Sequence, residues 1–395
     1  MAGEARIACF VSSGRPGSAS KLGHFFENRV STGVGWAHAR ARGSMNAFFT
    51  SKRVTAAAGR AFFRLATSVL AVFLVGSVPG FAAEGGVKRV PVILDTDIGD
   101  DIDDTWALGL LLKCPELDVK LVVGDYGRPG YRARLLGKLL QAMGRSDVPI
   151  GVGIDVAGVG GEESQGAWLG DYDLKTYPGR VHADGVGALI RTILESPEPV
   201  TLIAIGPLSN VAEALKREPR IAGKARFVGM HGSVRFGYGG STNLAAEWNV
   251  KCAPAACREA LSAGWEATIT PLDTCGRVQL KDAAFAKVRE SADPVARVIL
   301  ANYRVWAAKR TELAPKEVER ASSTLFDCVA VYLAVTTELC GMERLPIRVT
   351  EEGFTRIEPG AKVLSVATRW KDLDAFHGWM ADRLVGPNAQ KSAGP

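Results

Sequence analysis

Six aspartates crowd the run Asp95-Thr-Asp97-Ile-Gly99-Asp100-Asp101-Ile-Asp103-Asp104. Carboxylates at this density repel one another unless positive charge sits among them. A hard divalent cation meets that demand, because Ca²⁺ accepts several oxygen ligands at flexible geometry. A carboxylate held beside such a cation can also take a proton from water as a general base. The competing reading is a solvated acidic loop. It fits poorly, because the run directly follows Val90-Pro-Val-Ile-Leu94, a short apolar stretch typical of a buried parallel strand.

The elements that must position these carboxylates follow from the same pattern. Gly99 permits a tight turn after the strand, and Thr105 to Leu112 is apolar enough to be a helix packed on a sheet. Residues 118–124 form a second strand ending at Asp125. Leu135, Leu136, Leu139 and Leu140 then recur at helical spacing over 131–143. Further strands are expected at 148–153, 199–205, 225–230 and 266–270, with strand-like runs at 347–350 and 363–367 and helices at 254–263, 295–310 and 372–384. Residues 158–187 read as a long surface excursion carrying Trp168, Tyr172 and Tyr177, closed by His182 and Asp184. This alternation predicts an α/β fold: a single domain over 87–386 with an open, mostly parallel, Rossmann-like sheet flanked by helices. Ligands of such sheets bind at the carboxyl ends of the strands, where Asp97 to Asp104 and Asp125 lie.

The chain has 395 residues and a formal net charge of +6, much of the excess lying before Val90. That balance gives no basis for a nucleic-acid partner. Residues 1–55 lack a useful hydrophobic period and read as a disordered or mis-assigned extension, with Met45 an alternative start. Residues 56–83 read as a signal peptide: basic residues up to Arg64, an apolar core from Leu65 to Val78, and small residues allowing cleavage after Ala82. The expectation is an exported protein, periplasmic or extracellular, with no stable membrane anchor after processing. Cys9 precedes that cleavage. Cys114, Cys252, Cys257, Cys275, Cys328 and Cys340 show no zinc-site spacing, and sequence leaves open whether they pair or stay as buried thiols.

The Asp95-x-Asp97-x-Gly99…Asp103-Asp104-x-x-Ala-Leu pattern resembles the N-terminal fingerprint of the inosine–uridine-preferring nucleoside hydrolases. Ile205-Gly-Pro-Leu-Ser-Asn210 is similar to that family's Gly-Pro-Leu-Thr-Asn segment, Ala246-Glu247-Trp248-Asn249 to its Ala-Glu-Phe-Asn, and Asp327 to its C-terminal acidic ligand. The resemblance runs from Val90 to about Leu384 and implies Ca²⁺-dependent hydrolysis of ribonucleosides, a small-molecule substrate, and compatibility with a homo-oligomer. It implies that Asp97, Asp104, Asp327 and the Ile205 carbonyl hold Ca²⁺. Asp97 would be the general base, with Asp103, Asp125, Glu247 and Asn249 on the ribose hydroxyls.

Four departures stand out. Two residues are inserted before Asp103-Asp104, which leaves Asp101 a competing candidate. Phe326 replaces a His that protonates the leaving base in some members. Ser241, with Asn243 nearby, and Asp125 each stand where an Asn contacts ribose. With that His gone, His182 or His231 could supply the proton and Trp168 or Tyr238 a stacking surface. Rival functions are a hydrolase of another N-riboside, an Asp-x-Asp phosphatase, disfavoured by Gly99 after the second Asp, and an exported riboside-binding protein whose catalysis lapsed with Phe326.

Overall fold

The computed structural model describes residues 89–159, 163–311 and 313–386. The extension at 1–55 and the signal segment at 56–83 lie outside the described residues. Among those described, no helix is long and apolar enough to cross a membrane.

Ten strands form one sheet: β1 (Val90–Thr96), β2 (Leu117–Gly124), β3 (Ile150–Gly151), β4 (Val181–His182), β5 (Val200–Ala204), β6 (Ala225–Met230), β7 (Ala267–Thr270), β8 (Cys340–Val349), β9 (Thr355–Ile357) and β10 (Val363–Trp370). Their order is β4-β3-β2-β1-β5-β6-β7-β10-β8-β9. Pairing is parallel from β4 through to β10, and antiparallel where β8 joins β10 and β9. The α/β sheet expected from sequence is present, with antiparallel strands added at one edge.

The chain starts at the centre of the sheet. From β1 it winds outward through β2, β3 and β4, then returns to the other side of β1 with β5. The crevice between outward-running halves therefore opens at the carboxyl ends of β1, β2 and β5. Asp95 and Thr96 end β1, Asp125 follows β2 and Ile205 follows β5. Two apolar layers fill the two faces. One is built around Trp106, Leu136 and Phe376, the other around Leu189, Phe227 and Trp265.

The helix after the acidic turn spans Asp103–Leu112 and is buried on every side. It begins two residues before the expected Thr105, so Asp103 and Asp104 occupy its first turn. Unpaired N–H groups and the helix dipole favour negative charge there. The expected strand at 148–153 shrinks to two residues. The expected strand-like run at 347–350 is the end of the ten-residue β8. The excursion at 158–187 holds a short helix, Gly166–Leu169, and β4. The six described cysteines form no disulfide, and five of them are buried.

Candidate active site

Asp103, Asp104 and Asp327 meet where the fold brings the first turn of one buried helix against the start of another, Cys328–Val335. Each offers a carboxylate oxygen within 4.8 Å of the others. Asp327 sits at the N-cap position of its helix yet makes no side-chain cap bond. The Asp103 carboxyl takes the Asp327 backbone N–H. Asp104 accepts from the Thr96 hydroxyl.

Asp97 follows the end of β1, close enough for its charge to act on this group. Its charge disfavours ionisation of Asp103, Asp104 and Asp327 alike. Burial pushes Asp97 itself up to about 7, with the Arg132 guanidinium pulling the other way and Asp100 and Asp125 adding to the rise. Burial, then neighbouring carboxylates, hold Asp103, Asp104 and Asp327 well above the usual range. All four keep a sliver of access to solvent, 6% for Asp97, 4% for Asp103 and 3% for Asp104 and Asp327.

The backbone after β5 closes against this group because Gly206 has no side chain. A Cβ there would lie 3.0 Å from the Asp97 nitrogen, 3.2 Å from its Cβ and 3.2 Å from Asp125 Oδ2. The Ile205 carbonyl just before it accepts Nδ2 of Asn249 at 3.0 Å, and the Met230 carbonyl accepts the same nitrogen at 3.1 Å. Glu247 caps the helix Trp248–Cys252, taking the N–H groups of Asn249 and Val250 together with that of Gly232. Its carboxyl is pushed up to about 7 by burial, against the pull of those three donors.

These residues fit a hard divalent cation. The donor set is all oxygen, and Asp103, Asp104 and Asp327 converge with buried carboxylates that burial and one another's charge hold above the usual range. The carboxylates the fold brings together are Asp103, Asp104 and Asp327, with Asp97 beside them and Asp103, expected on the ribose, inside the group. Asp101 lies on the rim, exposed, accepting its neighbour Ile102 N–H at 2.7 Å.

Other candidates land elsewhere. Asp125 is fully enclosed, and its two oxygens accept Ser209 N–H at 3.2 Å and Asn210 N–H at 3.0 Å. The helix Ser209–Arg217 has no side-chain cap of its own, so Asp125 supplies one from β2. Both Asp125 oxygens thus anchor the turn beside the site, at the position where a ribose contact is expected from sequence. His231 is also enclosed and bonded to the Gly206 carbonyl at 3.0 Å. Burial lowers it to about 4, so it is neutral and unsuited to protonating a leaving base. His182 lies on the edge strand β4, with β3 and β2 between it and β1. Trp168 sits under Lys138, whose ammonium is 4.8 Å from its ring centroid, on the face of the helix Pro129–Ala142. Ser241 and Asn243 lie in an exposed loop and bond to each other.

At the mouth stands an aromatic group. The Tyr238 ring meets Phe326 edge-on at 6.1 Å, and its hydroxyl accepts Trp248 N–H at 2.9 Å. Tyr238 is 45% exposed and Trp248 38%.

Against known proteins, the family model of the inosine-uridine preferring nucleoside hydrolases matches residues 92–377. The chain belongs to this family. It is accordingly an N-glycosyl hydrolase. Among relatives, a pyrimidine-specific ribonucleoside hydrolase, RihA, of Salmonella arizonae is 32% identical over 223 residues, covering 53% of this chain and 69% of that one. The RihA of an Enterobacter strain is 33% identical over 223 residues, with shares of 53% and 68%. Among solved structures, a plant nucleoside hydrolase superposes with a TM-score of 0.65 at 24% identity, covering 76% of this chain and 100% of that one. A purine-preferring ribonucleoside hydrolase from Gardnerella vaginalis gives 0.62 at 21% identity, covering 75% and 98%.

Sequence reasoning passed over three residues that hold this hydrolase's site together. Asn210 donates to Asp95 Oδ2 and to the Gly124 carbonyl, both at 2.9 Å, and so ties β1 to β2. Buried Gln165 donates to the Asp101 carbonyl at 2.8 Å. Arg132 lies fully buried beneath the acidic turn. Its signal was available: it falls three and four residues before Leu135 and Leu136, on the apolar side of its helix. A charge on that face must be buried and bonded.

Proposed function

We propose that this chain hydrolyses the N-glycosidic bond of ribonucleosides at the Asp97–Asp103–Asp104–Asp327 cluster, with Ca²⁺ as its cation. The observation that supports the reading most is the convergence of Asp103, Asp104 and Asp327, three buried carboxylates with oxygens within 4.8 Å of one another at the sheet's central crevice. Asp97, Asp104, Asp327 and the Ile205 carbonyl would hold it. When bound, Ca²⁺ keeps the carboxylates ionised and holds water and ribose oxygens together.

The chain's own groups then do the following. Asp97 takes a proton from the water that adds to C1′ of the ribose. The bond from C1′ to the base nitrogen breaks, and its electron pair leaves with the base. Asp103 and Asn249, with Glu247 behind them, grip the ribose hydroxyls. Asn249 commits its amide nitrogen to two carbonyls, which leaves its side-chain oxygen to accept from a hydroxyl. The surrounding carboxylates offset positive charge that develops on the sugar ring. Tyr238, Trp248 and Phe326 offer a π-surface at the exit, where the base departs. With His231 buried and neutral, solvent at the exposed mouth delivers the proton the base needs.

The relatives named as pyrimidine-specific and purine-preferring bracket the base without choosing it. A release assay over uridine, cytidine, inosine and adenosine, with and without chelator, tests the proposal. Ribose release that stops with chelator and returns with Ca²⁺ is expected. Full turnover after metal removal contradicts it. The reading of 56–83 as an export signal places this activity outside the cytoplasm, and N-terminal sequencing of the mature protein checks it.

A further inference from the structure

The acidic turn has no regular secondary structure from Asp97 to Asp101, so its shape must come from elsewhere. Five successive carbonyls in it each accept a hydrogen bond from a distant side chain. Arg132 Nη1 serves Asp97 and Ile98, the latter at 2.9 Å. The Tyr131 hydroxyl serves Gly99 at 3.0 Å, Trp306 Nε1 serves Asp100 at 3.2 Å and Gln165 Nε2 serves Asp101 at 2.8 Å.

Arg132 is the hub. Its Nε donates to the Gly127 carbonyl at 3.0 Å, and its Nη2 donates to the Tyr126 carbonyl and to Asp100 Oδ2, each at 3.0 Å. With the two bonds from Nη1, all five guanidinium N–H groups are engaged. The helix carrying Arg132 approaches β2 only because Gly124 is bare: a Cβ there would lie 2.8 Å from Arg132 Cβ. We propose that Arg132 is the positioning residue of this site. By fixing the carbonyls on either side of the Ile98 amide it sets the backbone from which the Asp97 carboxylate projects toward Asp103, Asp104 and Asp327. It also places one buried positive charge beneath that group.

Lysine cannot replace it. An ammonium carries three donors on one atom and cannot reach acceptors spread around a planar fork. The role rests on reading the carboxylate cluster as a cation site, and the test separates the two. Ca²⁺ is titrated calorimetrically into chelator-treated wild type, Arg132→Lys, Tyr131→Phe and Trp306→Phe, each checked by circular dichroism and thermal melting. Folded Arg132→Lys is expected to bind Ca²⁺ about 10- to 100-fold more weakly. At saturating Ca²⁺ its kcat falls more than its KM rises, because Asp97 is misaimed while the ribose contacts stay. Tyr131→Phe, which keeps the ring but loses the hydroxyl's ties to Gly99 and Gln165, and Trp306→Phe, which loses the indole N–H to Asp100, lose about 2- to 10-fold. If Arg132→Lys does not fold, the two phenylalanine variants decide. Folded variants with wild-type Ca²⁺ affinity and wild-type kcat overturn the positioning role, even if their melting temperatures drop. Wild type that binds no Ca²⁺ overturns the reading of the cluster instead.

Discussion

The two ends of the crevice are built in opposite ways. At the floor, Asp97, Asp103, Asp104 and Asp327 are buried, converge from strand and helix ends, and sit on backbone braced by Arg132, Gln165 and Asn210. At the mouth, Tyr238 and Trp248 are largely exposed, and the loop at 237–243 turns on backbone bonds between Gly237, Tyr238 and Ser241. The floor needs exact placement because like charges are forced together there and only one arrangement serves a cation. The mouth offers aromatic faces, whose area and placement favour one planar base over another. The difference implies that reaction type is fixed by the floor and base preference is set by the mouth.

Substitutions should separate the ends by size of effect. Asp97→Asn removes the proposed base with little change of shape, and kcat should fall about 10²- to 10⁴-fold in a ribose-release assay. Comparable turnover by that variant would falsify the assignment of Asp97. Asp327→Asn should abolish calorimetric Ca²⁺ binding while leaving the Cys328–Val335 helix intact, since Asp327 makes no cap bond. Binding that survives there would show that the floor is not the site.

The floor should also make stability depend on pH, in a direction set by its raised carboxyls. Between the ordinary value of 3.8 and about 7, folded Asp97 holds a proton that the unfolded chain has released. The folded state then binds more protons, so this contribution to stability falls as pH rises through that window and stays lost above it. Ca²⁺ competes with those protons. Its stabilising effect should therefore be larger at about pH 8 than at about pH 5, read as the shift in melting temperature. Equal shifts at both values would mean that the carboxylates do not meet the ion.

The smallest effects belong to the mouth. Tyr238→Ala should change kcat/KM for inosine relative to uridine by about 3- to 10-fold, with thermal stability within about 0.5 kcal/mol of wild type. Identical ratios would remove the aromatic group from base recognition.

How much of this was legible depended on range. The β1 strand and its turn were readable from Val90 to Leu94 and Gly99, because burial and turn chemistry are local. The meeting of Asp104 with Asp327 came from the family resemblance, since no local pattern links residues so far apart; the resemblance put Asp103 on the ribose, whereas the structure groups it with that pair. What escaped were side chains acting at a distance. Trp306 reaches Asp100 across 206 positions, and Arg132 looked like one more residue in a leucine-rich helix. The capping role of Asp125 was hidden for a related reason: the helix that uses its carboxylate begins at Ser209, 84 positions on. The helix Asp282–Arg289 and the strand β9 went unseen because neither carries a strong apolar period.

One titration bears most directly on the account. Chelator-stripped protein is supplied with Ca²⁺ in steps while bound ion and ribose release are followed on the same sample. A single site per chain, with turnover rising in proportion to its occupancy, is the predicted result. Undiminished turnover at zero occupancy would contradict the account.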